Sequence, residues 1–172
     1  RYPFHPQAAY KPRPEMLSND PLAEYIKRME VEGIDRAVLV HPEPYGDDHR
    51  LVLDCVDARP DLFKTTALFY PKDDNAPLKL RQLVSNQPGK IIAFRFHAHQ
   101  GKRTYLDSFS DSNVRELWQT AGELGLIIEL HIDNDYASQV AKIAKEFSEF
   151  TVLVDHMAEA KFGSAPDFSD TI

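Results

Sequence analysis

The sequence predicts an α/β fold built on a parallel sheet, and three observations carry that prediction. Runs of β-branched and apolar residues alternate with helix-period segments, starting near positions 36, 64, 91, 126 and 151. Each run is separated from the next by a helical stretch, which is the crossover that parallel strands require. Four of the runs end in histidine: Val38 to Val40 leads into His41, Ile91 to Phe96 into His97, Leu126 to Leu130 into His131, and Thr151 to Asp155 into His156. Strands pointing the same way would bring those imidazoles to one rim, the carboxyl end, where α/β sheets place ligands and catalysis. Either a doubly wound sheet or a barrel satisfies this spacing. A dinucleotide-binding reading is weak, because no strand is followed by a glycine-rich phosphate loop.

The elements follow in order. Arg1 to Pro14 holds four of the twelve prolines together with Tyr2, Phe4 and Tyr10, and suits an extended aromatic loop lying over a rim. Asn19 or Asp20 can cap a helix with Pro21 at its first position, placing Leu22, Tyr25, Ile26 and Met29 on one face, and Gly33 supplies a left-handed stop. A strand over Arg36 to His41 comes next, then a turn from Pro42 to Gly46. Asp47 and Asp48 sit where anionic caps belong, ahead of the stripe Leu51, Val52, Cys55 and Val56. Phe63 to Tyr70 reads as a strand buried on both faces.

Pro77 opens a third helix with Leu80, Leu83 and Val84 inward, closed by Pro88-Gly89 before the strand Lys90 to His97. Ala98 to Ser110 is a long connection of the kind that is often functional. Asp111 heads a helix with Val114, Leu117, Trp118, Ala121 and Leu124 inward, and Gly125 ends it. Strand Leu126 to His131, helix Tyr136 to Phe147 and strand Thr151 to His156 complete the pattern, with a further helix beginning near Pro166 and Asp167. A chain of 172 residues suits one domain over 1–172.

A net charge of −7 and a pI near 5.5, with Lys and Arg scattered, argue against a nucleic-acid partner. The single Cys55 allows no internal disulfide and suits a reducing cytosol, where it reads as a small apolar helix residue. No apolar run approaches the ~20 residues of a membrane span, so a cytoplasmic protein with no membrane partner is expected. The chain opens at Arg1 and closes at Ile172, and both ends look cut.

A lone histidine near a strand end is more often structural than functional, but several in one register suit a divalent metal or acid-base chemistry. His131 and His156 carry the most weight, since loop follows each directly. Arg95 shares the side of its strand with His97, and a buried guanidinium there needs an anion: a substrate carboxylate, or an internal Glu or Asp. His97 and His99 form an H-x-H, which a metal could use if both lie on the strand. Asp155 should point away from His156, toward the helices, in a cap or salt-bridge role. Glu43, Tyr45 and Asp47 could line a polar substrate pocket beside His41, while His5 and His49 fit surface roles.

Several segments resemble a known family: Gly33-Ile-Asp-Arg-Ala-Val-Leu-Val-His-Pro-Glu-Pro-Tyr-Gly-Asp-Asp, Phe94-Arg-Phe-His, Glu129-Leu-His-Ile-Asp and Val154-Asp-His-Met. They are similar to the amidohydrolase-related family, in the branch of 2-pyrone-4,6-dicarboxylate hydrolase and the sugar-lactone hydrolases, and the opening Arg1-Tyr2-Pro-Phe-His-Pro resembles the loop after the first barrel strand there. The resemblance implies a partial TIM-like (β/α)8 barrel whose five visible strands are the second to sixth. The family's first-strand His-x-His and eighth-strand Asp are absent, so the chain alone is expected to be inactive, to bind metal weakly or not at all, and to be prone to self-association as a homo-oligomer.

For the intact parent the resemblance implies a hydrolase in which water attacks a lactone or similar cyclic ester. His131 would be a metal or water ligand, and His156 would orient the water, polarise the carbonyl or join the metal. Arg95 would hold a substrate carboxylate, with His41, Tyr45 and His97 completing the substrate-binding set. Divalent zinc or manganese is the implied cofactor, although members of the branch differ in needing one. A superfamily decarboxylase acting on an acidic substrate, and a non-catalytic small-molecule-binding barrel fragment, are the alternatives.

Overall fold

A computed structural model describes residues 2–6, 8, 10–13, 20–100 and 103–159, apart from the side chains of 99, 100 and 103. The helix expected near Pro166 lies outside the described residues. Five strands, β1 (Ala37–Leu39), β2 (Phe63–Ala67), β3 (Ile91–His97), β6 (Ile127–His131) and β7 (Val152–Val154), form one sheet in sequence order. All four pairings are parallel. The order never reverses, which excludes the doubly wound arrangement, and the sheet curls into a half-barrel with flanking helices. The long connection after β3 folds as a small antiparallel hairpin, β4 (His99–Gln100) with β5 (Arg103–Thr104).

Among the described residues five α-helices flank the sheet: α1 (Pro21–Glu32), α2 (Arg50–Ala58), α3 (Ala76–Asn86), α4 (Ser112–Glu123) and α5 (Ala137–Glu146). Local chemistry sets their ends. Asp20 Oδ1 accepts the Ala23 N–H at 3.1 Å and Pro21 opens α1, while Gly33 closes it at φ 67°. The expected aspartate cap of α2 is displaced, since His49 holds the cap position and Asp48 accepts from Arg50 instead.

The main core lies between the sheet and the helices. Phe94 and Phe96 from β3 and Ile128 and Leu130 from β6 meet Leu80, Leu117 and Trp118. Phe96 is packed edge-on to Phe94 at 4.9 Å and against Trp118 at 5.7 Å. Each such side chain contributes about 1.5–3 kcal/mol by leaving water. Gly122 on α4 is required by packing, because a Cβ there would stand 2.2 Å from the Phe150 ring. A smaller core of Met29, Val56 and Phe63 seats α1 and α2 against β1.

Strand alternation then sorts the other face. With Phe94, Phe96, Ile128 and Leu130 committed to the helices, Arg95, His97, Glu129 and His131 face the concave inside of the sheet.

Candidate active site

Register brings the inner-face residues together. Arg95 is paired with Glu129 and His97 with His131 across β3 and β6. The His97 and His131 rings meet edge to face at 4.5 Å between centroids, and His131 meets His156 at 5.9 Å. Tyr105 extends the row, edge-on to His97 at 5.1 Å. A continuous line of rings, Tyr105–His97–His131–His156, therefore crosses the carboxyl ends of β3, β6 and β7.

Tyr105 is placed by the hairpin after β3: the Tyr105 N–H donates to the Ala98 carbonyl at 2.8 Å, and the Ala98 N–H to the His131 carbonyl at 3.0 Å. Its hydroxyl donates to Glu43 Oε1, which also accepts from Tyr70 at 2.9 Å. Sequence reasoning missed Tyr105 because a loop carries no periodicity to flag it. Beside this tyrosine pair lies a cleft of ≈360 Å³, lined by His5, Phe69, Lys72 and Lys79 among others.

His156 stands beyond the strand it was expected to end. β7 stops at Val154, and Asp155–Glu159 form a tight turn in which His156, Met157, Ala158 and Glu159 all have φ between 50° and 55°. The turn breaks strand alternation and corrects the placement of Asp155. Instead of pointing to the helices, its carboxylate accepts Arg95 Nη2 at 2.9 Å on the inner face. Arg95 Nε also lies 3.6 Å from Glu129 Oε1, so the guanidinium expected to receive a substrate carboxylate is held by internal ones. At the other end of the turn, Glu159 Oε1 is 3.5 Å from His131 Nε2.

Burial raises the Glu129 carboxyl well above the usual carboxylate range; Arg95 opposes that shift and Asp155 adds to it. The Tyr10 phenol, on the N-terminal strap described over residues 2–6, 8 and 10–13, is raised by burial and by Glu43, with Arg95 pulling it down.

His41 is placed apart from this row. It is 1% exposed, its Nε2–H donates to the Gly46 carbonyl at 2.8 Å, and its ring stacks on His49 at 4.3 Å. His49, expected at the surface, is 4% exposed. Its Nε2 accepts the Leu68 N–H at 3.0 Å and its Nδ1–H donates to the Asp47 carbonyl at 3.0 Å, satisfying one backbone group just after β2 and one in the turn ahead of α2. Burial lowers His41 to about 3 and His49 to about 4, so both are neutral at neutral pH. Tyr45 lies under the strap, its ring 5.1 Å from Phe4. His5, also expected at the surface, is half-buried over Gly46, with its N–H bonded to the Pro44 carbonyl at 2.7 Å. The His99 side chain lies outside the described residues.

Among the described residues, no group of three or more His, Cys, Asp or Glu side chains is arranged to hold a metal ion. No helix among the described residues is long and apolar enough to cross a membrane.

Comparison with known proteins agrees with this architecture. Over its full length the chain is 27% identical to 4-sulfomuconolactone hydrolase from Hydrogenophaga intermedia, and it covers 54% of that protein. The chain thus spans about half the length of this curated relative. A crystal structure of a probable 2-pyrone-4,6-dicarboxylic acid hydrolase from Acinetobacter baumannii, with citric acid bound, superposes with a TM-score of 0.77 at 20% identity, over 98% of this chain and 59% of that one. The fold also matches 5-carboxyvanillate decarboxylase from Novosphingobium aromaticivorans, solved with manganese and a nitrobenzoic acid, at a TM-score of 0.60 and 15% identity over 80% of this chain and 50% of that one. The Amidohydrolase family model matches residues 1–171, and the chain belongs to that family.

Proposed function

We propose that this chain supplies the central part of a hydrolase that opens a lactone or similar cyclic ester bearing a carboxylate. The observation that carries this reading is the row of rings His97–His131–His156 at the strand ends. It is supported by the likeness to a sulfomuconolactone hydrolase.

In this reaction a water molecule attacks the ring carbonyl carbon as His156 takes its proton, forming a tetrahedral intermediate. The carbon–oxygen bond of the ring then breaks, and the imidazolium returns the proton to the leaving oxygen, giving an acid and a hydroxyl or enol. His131 donates to the carbonyl oxygen as negative charge develops there, with the Glu159 carboxylate 3.5 Å from its Nε2. His97 and Tyr105 wall the substrate on the β3 side. A substrate carboxylate would reach Arg95 only by sharing it with Asp155 or displacing it. His41 and Tyr45 act beneath the rim, His41 by holding the Gly46 carbonyl and Tyr45 by packing against Phe4. A divalent metal, such as the manganese in the decarboxylase neighbour, would need ligands beyond the described residues.

The test is an assay of this chain, and of any longer polypeptide containing it, against carboxylated lactones such as a muconolactone and a pyrone dicarboxylate. Ring opening without CO₂ release is the expected result. CO₂ release from a hydroxybenzoate with no lactone turnover would replace the hydrolase reading by a decarboxylase.

A further inference from the structure

The turn after β7 is the most strained backbone among the described residues, and it carries His156. Four consecutive residues, none of them glycine, adopt positive φ. Left-handed backbone costs roughly 1–2 kcal/mol for each such residue, so the conformation persists only where its surroundings hold it.

The holding contacts are specific. Ala158 is buried in the main core. Asp155, at the start of the turn, pairs with Arg95 at 2.9 Å with side-chain exposures of 14% and 12%. Glu159, at the end, reaches His131 at 3.5 Å. His156 is suspended between these two charged ties, one to β3 and one to β6.

We propose that Arg95 and Asp155 are positioning residues, whose ion pair latches the left-handed turn to the inner wall and so sets the His156 ring against His131. The proposal rests on the reading of His131 and His156 as the reacting pair. A buried ion pair is weak evidence for stability in itself, because desolvation offsets much of the attraction, whereas holding a strained segment in one geometry is a task that such a pair suits. The latch also explains why a guanidinium on the concave face is paired with an internal carboxylate. Arg95 is reached by Asp155 only because the turn reverses the side to which an alternating strand would send it.

The test uses this chain with labelled histidines and follows imidazole–imidazole nuclear Overhauser cross-peaks. Wild type should show His97–His131 and His131–His156 contacts. In Arg95→Met and in the isosteric Asp155→Asn, the His131–His156 cross-peak should vanish while the His97–His131 cross-peak stays. Arg95→Lys, which keeps a charge for Asp155, should recover part of the lost signal, and Glu129→Gln should leave it in place. A folded Arg95→Met or Asp155→Asn chain that retains the His131–His156 cross-peak overturns the proposal, and so does failure of both variants to fold, which would make the pair a stability element. Glutarate serves as a carboxylate probe: binding abolished by Arg95→Met with both cross-peaks intact would assign Arg95 to substrate instead. These outcomes are read without turnover, so they stand whether or not lactone hydrolysis is found. Where turnover is found, Asp155→Asn should lower kcat and leave KM unchanged.

Discussion

Two groups of histidines gather near strand ends of the same sheet, and their rings meet different partners. At the β1 end, His41 and His49 are stacked and buried, and their ring nitrogens serve the backbone of Gly46, Asp47 and Leu68. At the β3, β6 and β7 ends, His97, His131 and His156 meet ring to ring along the concave face, with the Glu159 carboxylate 3.5 Å from His131. A histidine after a strand is therefore not a site residue by position alone. In the first group three of the four ring nitrogens are bonded to backbone groups, whereas the second is joined by ring-to-ring contacts.

The largest effect that would break this contrast concerns activity. With turnover established, His156→Asn or His131→Asn should lower kcat by about 10²–10⁴-fold, the usual worth of a general acid or base, with little change in melting temperature. Steady-state kinetics beside thermal unfolding check it. If His41→Asn produced the same kinetic loss in a folded protein, the two groups would not differ in kind.

The buried pair should respond in stability instead. His49→Ala leaves the Leu68 N–H and Asp47 carbonyl without their partner and opens a cavity, costing about 2–4 kcal/mol. For a chain of this size that is a fall of roughly 4–16 °C in melting temperature. Calorimetry of the variant measures it.

Titration sharpens the comparison further. The His41 and His49 pKa values are depressed in the fold, so their contribution is fully present above the unfolded value near 6.5 and is lost as pH falls below it, down to about 4 for His49 and about 3 for His41. Each histidine should then remove about 1.4 kcal/mol per pH unit in that window. Urea unfolding between neutral pH and pH 4 gives the slope, and His49→Ala should flatten it. Glu129 runs the other way. Its pKa is raised, so its contribution is present below the unfolded value and is lost as pH rises. Glu129→Gln should accordingly be neutral or slightly stabilising at neutral pH, within about 1 kcal/mol.

Gly46→Ala should have an effect of about 1–2 kcal/mol, since the residue sits at φ 58° and its new Cβ would stand 2.8 Å from the His5 ring. Protease cleavage in the strap near His5 should accelerate. Unchanged cleavage would mean that the strap does not depend on its seat at Gly46.

Much of the architecture was legible because it follows from local rules. Asp20-Pro21 and Gly33 delimit α1 through capping and left-handed backbone, and Leu117 and Trp118 mark the buried face of α4 by helical spacing. The inner-face quartet Arg95, His97, Glu129 and His131 also follows from period two once Phe94, Phe96, Ile128 and Leu130 are assigned to the core. Where alternation failed, so did the expectation. The turn after Val154 turned Asp155 inward, and the bulge between Thr65 and Thr66 shifts the register of β2.

The sequence by itself determined the parallel α/β order, the strand ends at which the imidazoles gather, and the family, because periodicity, caps and motifs are properties of neighbouring residues. Only the tertiary structure decided which histidines stack against the backbone beneath the rim and which meet in a row along it, that Arg95 meets Asp155, and that Tyr105 joins His97. Those contacts join residues 8 to 60 positions apart, as from Tyr105 to His97 and from Arg95 to Asp155, and depend on which backbone groups the fold leaves for a side chain to satisfy.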